Sequence, residues 1–305
     1  MRAGIIDVGT NSVKMVIGEM GEGGDHRILG DFMKCTRLGE GLNATGELRP
    51  EAQERTLAVM REFLELAKQH EVQKSRLVGT SALREASNQA EFLSRVRREF
   101  GLDPEVLSEE DEGRFSYAAV ALDPSFRKCQ DELCVVDIGG GSTELIFGER
   151  GKVTSWQSLR LGAVRLTEQI LKSDPPNREE VAKAEKAAEV AVHLAAEGRT
   201  ARQVAGVGGT VVSLARIWKS VPSEMIEEVH GVPMTPSDCH QVLDRLSSLR
   251  VAQRKTLVGL DPDRADIILA GAIILEQILS FLRAEQLLVS IRGLRHGVLY
   301  ELLEI

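Results

Sequence analysis

The sequence predicts an α/β protein built from two related domains, and three observations carry that expectation. Apolar strand-like runs alternate with helical periodicity along most of the chain. The length of 305 residues exceeds what one hydrophobic core usually organises. A motif also recurs: DVGTNSVKMVIGE begins at Asp7 and DIGGGSTELIFGE at Asp137. Without gaps, Asp, Gly, Ser, Gly and Glu coincide at 7/137, 9/139, 12/142, 18/148 and 19/149. Such a period is far too long for a solenoid and implies a duplicated domain.

Each copy reads as a strand, a glycine turn and a return strand. Residues 4–6 and 133–136 are short apolar runs that deliver an aspartate to the strand end, and 13–17 and 144–147 form the return strands. Glycine permits backbone angles that point successive N–H groups at one spot, which makes a concave anion site. Asn11, Ser12, Ser142 and Thr143 add side-chain donors. The terminal aspartates repel phosphate and suit a hydrated divalent cation instead. Two such loops facing each other would hold phosphate from both sides of a cleft.

Between the loops the pattern predicts a helix over 49–70, a strand over 76–79, a helix over 89–100, a strand ending at 106–107 and a helix over 109–122. Beyond the second loop it predicts a strand over 152–159, a helix over 177–196 with Asn177 as N-cap, and a strand over 204–207. The last third reads as mostly helical, its longest piece over 262–282. The domain boundary is placed at 123–131. This gives domain I as 1–123, with 299–305 returning to it, and domain II as 124–298.

Composition narrows the function. A formal charge of −8 argues against general binding to nucleic acid or a membrane surface, so a polyanionic ligand needs a local basic site. Cys35, Cys129, Cys134 and Cys239 form no C-x-x-C pair and read as buried or incidental thiols. The six histidines lack metal spacing and read as structural. The start MRAGIIDVGTNS enters a strand at once, without a signal-peptide pattern, and 267–275 is too short to span a bilayer. The expected location is cytoplasmic.

Paired D-x-G loops at this separation resemble the superfamily of actin, sugar and acetate kinases and heat-shock ATPases. Further segments narrow the resemblance to the Ppx/GppA phosphatases: TRLGEGL (36–42), VGTSALREASN (78–88), SEEDEGRF (108–115), LGAVRLTE (161–168), GLDPDRADIILAG (259–271) and SIRGLRHGVLYE (290–301). The resemblance implies two actin-like domains, each with a mixed five-stranded sheet, flanking a cleft. The activity it implies is Mg²⁺-dependent release of terminal phosphate from polyphosphate, or from guanosine pentaphosphate.

Three departures accompany it. The chain stops where longer members continue into a helical domain, so a short form favouring short chains is expected. Ser108-Glu-Glu-Asp-Glu-Gly-Arg114 replaces the usual S-G-x-E-E-A-R. Ile291 and His296 stand where the last motif often has acids.

Carried over residue by residue, the resemblance makes Glu112 the catalytic carboxylate, which accepts or orients a water proton. Local sequence alone reads the acids 109–112 as complements to a helix N-terminus. Asp137 and Glu144 become the metal contacts, although Glu144 also reads as an exposed strand carboxylate. The expected phosphate-binding set is Asp7, Gly9, Thr10, Asn11, Ser12, Arg84, Gly139, Gly140, Gly141, Ser142 and Thr143. Arg84 offers a donor fork suited to phosphate, or else a helix-surface ion pair. Arg165, Arg264 and Arg295 fall in matched motifs without an assigned role. The 206–210 glycine turn either cradles a nucleotide or lets helix and strand pack closely. A small-molecule kinase and a non-catalytic nucleotide sensor are the competing classes, and the oligomeric state stays open, a homodimer being compatible.

Overall fold

The computed structural model describes residues 1–21, 26–129, 132–195, 199–201 and 203–304. Ala196 of the expected helix, residues 130–131 of the expected boundary and Ile305 lie outside them. The first half contains β1 (Arg2–Val8), β2 (Ser12–Met20), β3 (His26–Cys35), α1 (Leu42–Thr45), α2 (Pro50–Gln69), β4 (Lys74–Gly79), α3 (Ser81–Glu85), α4 (Gln89–Phe100), β5 (Glu105–Val106) and α5 (Glu109–Ala121). Then come β6 (Leu133–Ile138), β7 (Thr143–Glu149), β8 (Lys152–Leu159), α6 (Ala163–Gln169), α7 (Arg178–Ala195), β9 (Val204–Val207), α8 (Gly208–Lys219) and β10 (Pro233–Met234). The chain closes with α9 (Pro236–Ser247), α10 (Val251–Arg254), α11 (Ile268–Leu282), β11 (Leu287–Val289) and α12 (Leu294–Leu303).

Two compact units result: Met1–Phe115 with Leu294–Ile305, and Ser116–Gly293. The division falls inside α5, whereas the composition break near Pro124 suggested a point beyond it. A helix hides such a boundary because its local periodicity runs on unbroken.

The first unit carries a mixed sheet in the order β3-β2-β1-β4-β5, and the second the order β10-β11-β9-β6-β7-β8. Read from the other edge, the second sheet repeats the first strand for strand and then adds β10. The expectation of five strands per domain is therefore corrected to five and six. The extra strand is two residues, Pro233 and Met234, too short to leave a periodicity in the sequence.

The duplication reaches into the irregularities. β1 and β6 each pair antiparallel with the following strand and parallel with β4 and β9 respectively. Register slips at Ile17/Gly18 in one unit and at Phe147/Gly148 in the other. A bulge at a glycine lets a helix residue approach: a Cβ on Gly18 would meet Leu299 Cδ2 at 2.8 Å, and one on Gly148 would overlap Tyr117.

Both faces of each sheet are covered, which is why the central strands read as near-continuous apolar runs. In β1, Ile6 and Val8 pack with Leu57, Met60 and Phe63 of α2, while Ala3 and Ile5 pack with Val298 and Leu299 of α12. In β6, Cys134, Val136 and Ile138 join the large helical core, and Leu133 and Val135 pack with Tyr117 and Val120. Asp7 and Asp137 continue the second row in each case, so each acid ends an apolar strand face.

The long predicted helix at 262–282 is interrupted. Asp261 accepts from the Asp263 N–H (3.0 Å) and caps a separate turn at Pro262–Arg264 before α11 begins. Asn177 caps α7 as expected, its side chain accepting from the Glu180 N–H (3.0 Å). β3 escaped the sequence reading because its edge position leaves its faces only partly buried, so no alternation stands out. No helix among the described residues is long and apolar enough to cross a membrane.

In the first unit α12 is tied down at both ends. Arg295 binds Asp31 of β3 through two hydrogen bonds (2.8 and 2.6 Å), and His296 Nε2 lies 3.3 Å from the same carboxylate. Glu301 accepts from Arg76 (2.8 Å) and Arg114 (2.7 Å), whose guanidiniums stack on Phe115. Gly297 lies where α12 meets α5, since a Cβ there would overlap the Phe115 carbonyl. Desolvation raises the Asp31 pKa, but the Arg295 charge and the His296 hydrogen bond outweigh it and hold the carboxyl well below the usual range. A depressed folded pKa stabilises above the unfolded value near 4, and that share disappears as pH falls towards the folded value. Asp31→Asn should therefore lower Tm by roughly 2–4 °C at pH 7. The gap to the wild type should shrink on titration below about pH 4. Calorimetry at pH 7 and pH 3 checks it, and an equal gap at both rejects the linkage.

Candidate active site

The parallel strands of each unit release the sequence motifs at their carboxyl ends, where α/β sheets usually present ligand sites. In the first unit β1 leads to loop 1 (9–11), β4 to Thr80 and α3, and β5 to Leu107 and α5. Thr80 N–H donates to Val8 O (3.3 Å) and Leu107 N–H to Gly79 O (2.9 Å), so the three exits are neighbours. In the second unit β6 leads to loop 2 (139–142), β9 to the Gly208 turn and β11 to Ser290, whose N–H donates to Gly206 O (2.8 Å).

The two loops close alike. Gly9 N–H donates to Ser12 O (3.0 Å) and Gly139 N–H to Ser142 O (2.9 Å). A following segment then gathers the loop carbonyls. Asn11 O accepts from Thr36 (3.0 Å) and Arg37 (2.9 Å), and Thr10 O accepts from Gly39 (2.9 Å). Gly139 O accepts from Ala163 (2.9 Å), Gly140 O from Val164 (2.9 Å) and Arg165 (3.1 Å), and Gly141 O from Arg165 Nε (2.9 Å). With the carbonyls so engaged, the N–H groups of Thr10, Asn11, Gly140 and Gly141 have no acceptor among the described residues. Clustered unpaired N–H groups form an anion-binding nest.

The side chains divide into groups. Thr143, fully buried, donates its hydroxyl to Leu161 O, and Asn11 Nδ2 reaches Cys35 Sγ (3.6 Å), so these two brace the loops. Thr10, Ser12 and Ser142 are buried at the loop ends.

The strand-end acids differ between the units. Asp7 is paired across the ladder with Lys14, whose Nζ lies 3.7 Å from Oδ2, while Asp7 Oδ1 is buried without a hydrogen-bond partner among the described residues. Asp137 is paired across the ladder with Glu144, so the second unit sets two carboxylates side by side on one face. Ser116 donates to Asp137 Oδ2 (2.9 Å) and Ser158 to Glu144 Oε1 (3.1 Å). Glu144 is buried, which departs from the reading of an exposed strand acid. No cluster of three or more His, Cys, Asp or Glu suited to a metal occurs among the described residues. A pair of carboxylates does fit Mg²⁺, which keeps several waters and completes its shell with substrate phosphate.

Of the acids at 109–112, only Glu112 is buried. Ser108 caps the helix, its Oγ accepting from the Asp111 N–H (3.0 Å) while its hydroxyl donates to the Asp111 carboxylate (2.7 Å). Arg84 donates to Glu112 Oε1 and to Leu107 O (2.8 Å), and its Nη2 lies 3.8 Å from Glu109 Oε1. The first unit thus brings Arg84 and Glu112 together at the edge that carries loop 1.

The glycine turn at 206–210 is tightly filled. A Cβ on Gly208 (φ 83°) would lie 2.6 Å from Asp137 Oδ1, and one on Gly209 would overlap the Arg264 guanidinium. The close-packing alternative for this turn therefore has direct geometric support.

The sequence matches the Ppx/GppA phosphatase family over residues 6–305. The chain belongs to the Ppx/GppA phosphatase family. It is 33% identical to exopolyphosphatase 2 of Mycobacterium tuberculosis over 314 aligned residues, covering 97% of each. It is 30% identical to the guanosine-5'-triphosphate,3'-diphosphate pyrophosphatase of Photobacterium profundum over 98% of this chain and 58% of that protein. A crystal structure of the Aquifex aeolicus Ppx/GppA family member superposes with a TM-score of 0.84 at 36% identity, covering 100% of this chain and 98% of that one. The fold is accordingly the α/β, actin-like one.

Within this Ppx/GppA chain, the last motif departs from the usual acids in an interpretable way. His296 faces the Asp31 carboxylate, where a second acid would repel. Sequence reasoning missed Gly39, Gly162, Ser116 and Ser158. The two glycines lay inside TRLGEGL and LGAVRLTE, whose bracing of the loops only the hydrogen bonds reveal, and the serines carried no local signal.

Gly162 backs loop 2 directly, since a Cβ there would overlap Gly140 O and stand 2.6 Å from Gly141 C. On Gly39 the added carbon would instead meet the Thr10 methyl, which can rotate aside. Gly162→Ala should lower phosphatase kcat/KM by more than about tenfold while the protein stays folded, because loop backbone must move. Gly39→Ala should lose markedly less. Steady-state phosphate release beside circular dichroism tests this, and equal small losses would show that loop 2 tolerates the shift.

Proposed function

We propose that this chain is an exopolyphosphatase that releases terminal phosphate from inorganic polyphosphate with Mg²⁺, with a preference for short chains. The observation that carries it is the pair of glycine loops, each with its carbonyls tied back and its N–H groups unpaired, in a phosphoanhydride-hydrolase family. Inorganic polyphosphate is a chain of phosphate anions, the kind of ligand that a glycine loop of this form suits. Guanosine pentaphosphate is the second reading, favoured by the 30% identity to the Photobacterium profundum pyrophosphatase.

In the reaction, a water oxygen bonds to the terminal phosphorus as the bridging P–O bond breaks. The shortened chain leaves with the bridging oxygen, and orthophosphate is the other product. Loop N–H groups balance charge on the equatorial oxygens of the transferring group. Glu112, oriented by Arg84, accepts or aligns the water proton. Asp137 and Glu144, held by Ser116 and Ser158, would carry the Mg²⁺, which polarises phosphoryl oxygens when bound.

Glu112→Gln keeps the shape and the Arg84 contact but removes the proton acceptor. Its kcat and kcat/KM should fall together by about 10²-fold or more, with KM little changed. Glu110→Gln, on the exposed side of the same turn, should stay within about twofold. Near-normal turnover by Glu112→Gln would exclude the carboxylate mechanism.

Phosphate release from short polyphosphate, long polyphosphate, guanosine pentaphosphate and ATP should be greatest for short polyphosphate and should vanish on chelation. Recovery on Mg²⁺ addition should need more metal in Asp137→Asn than in the wild type. Undiminished turnover in chelator rejects the metal role, and activity confined to guanosine pentaphosphate selects the second reading.

A further inference from the structure

A second repeat lies outside the glycine loops. Arg37-Leu38-Gly39 follows β3, and Arg160-Leu161-Gly162 follows β8, the third strand of each sheet in chain order. Leu38 and Leu161 are both buried, in the cores of their own units. Gly39 lies against Thr10 and Gly162 against Gly140, each so close that a Cβ would overlap the loop. Packing thus accounts for the leucine and the glycine of each triplet.

Packing does not account for the arginine. Arg37 donates its N–H to Asn11 O of loop 1 (2.9 Å) and sits at φ 53°, in the left-handed region. Glycine or asparagine takes that conformation with less strain, and a strained residue touching a ligand loop is a pointer to function. Arg160 is exposed and directly precedes Leu161, whose carbonyl receives the Thr143 hydroxyl of loop 2. Arg37 therefore touches its loop through the backbone, and Arg160 adjoins a residue that touches the other loop's end.

Charge balance points the same way. The loop N–H donors are neutral and Lys14 faces Asp7, while at the second loop the Arg165 guanidinium, already on Gly141 O, stands against the carboxylates of Asp137 and Glu144. Arg84 is hydrogen-bonded to Glu112 and Leu107 O. Phosphate at either loop needs cations, and guanidinium suits phosphate oxygens in geometry as well as charge. Both arginines already hold partners within the protein, which a phosphate joins or displaces.

We propose that Arg37 and Arg160 are a duplicated pair of phosphate-contacting residues, one at the rim of each glycine loop. The proposal rests on the reading of those loops as phosphate sites. Arg37→Gln and Arg160→Gln should each raise KM for polyphosphate roughly tenfold, as loss of one charge-assisted contact does, with kcat within about twofold. The log–log dependence of kcat/KM on salt should flatten by roughly one for each arginine removed. Lysine at either position should restore most of the KM.

Arg37→Gly separates binding from folding. It suits the left-handed backbone, so Tm should hold or rise while KM still increases. Arg61→Gln on α2, which removes the same charge at an ion pair with Glu99 of α4, should leave KM and the salt slope unchanged. Unchanged KM and salt slope in Arg37→Gln and Arg160→Gln, while Gly162→Ala is impaired, would overturn the proposal and leave the loop reading standing. Unchanged KM in all three variants would overturn the loop reading itself.

Discussion

The engagement of the loop carbonyls is the constraint on which the rest of the structure depends. A glycine-rich turn left to itself presents N–H and C=O groups in many directions, and an anion gains little from such a mixture. Here Thr36–Gly39 and Ala163–Arg165 take up the carbonyls, so the remaining N–H groups have nowhere to go but outward. The segments responsible must return from the far end of β3 and β8, which requires a third antiparallel strand in each unit. Gly162 must be glycine because the bracing chain lies against the loop backbone, whereas at Gly39 the contact is with the Thr10 side chain. A buried unpaired N–H is expensive, so an anion at these loops would complete hydrogen bonding that the fold leaves open.

The duplication preserves this device while the chemistry of the two copies has diverged. One cross-strand position carries Asp7 with Lys14 in the first unit and Asp137 with Glu144 in the second. The first arrangement is an ion pair close to neutral overall; the second is a like-charge pair that repels unless a cation or hydrogen bonds offset it. Ser116 and Ser158 supply part of that offset. Gly208 is shaped to the same end, since any side chain there would press on the Asp137 carboxylate. Conversely the Arg84–Glu112 pair belongs to the first unit, so the loop bracing is shared and the candidate proton acceptor is not.

The C-terminal helix shows how a departure from a family pattern is absorbed. Asp31 on β3 already receives both arms of Arg295, and His296 adds a third favourable partner. Glu301 joins Arg76 of β4 to Arg114 of α5. The same helix therefore steadies the strand that leads to Arg84 and the helix that begins near Glu112.

By itself the sequence determined the duplication, the α/β class and the identity of both loops. Those depend on local signals: apolar runs, glycines and an aspartate at fixed offsets, which survive because each hairpin forms from contiguous chain. Most helix and strand positions were legible for the same reason. Only tertiary structure decided which of Glu109, Glu110, Asp111 and Glu112 is buried, because helix-start acids look alike until a distant Arg84 chooses one of them. It also decided the purpose of Gly39, Gly162, Ser116 and Ser158, which act on residues far along the chain. The two-residue β10 and the division inside α5 were equally invisible, the first lacking a period and the second lying within an unbroken one. Hydrogen bonds between remote segments leave no periodic trace, and in this protein they are what takes up the carbonyls of two glycine turns.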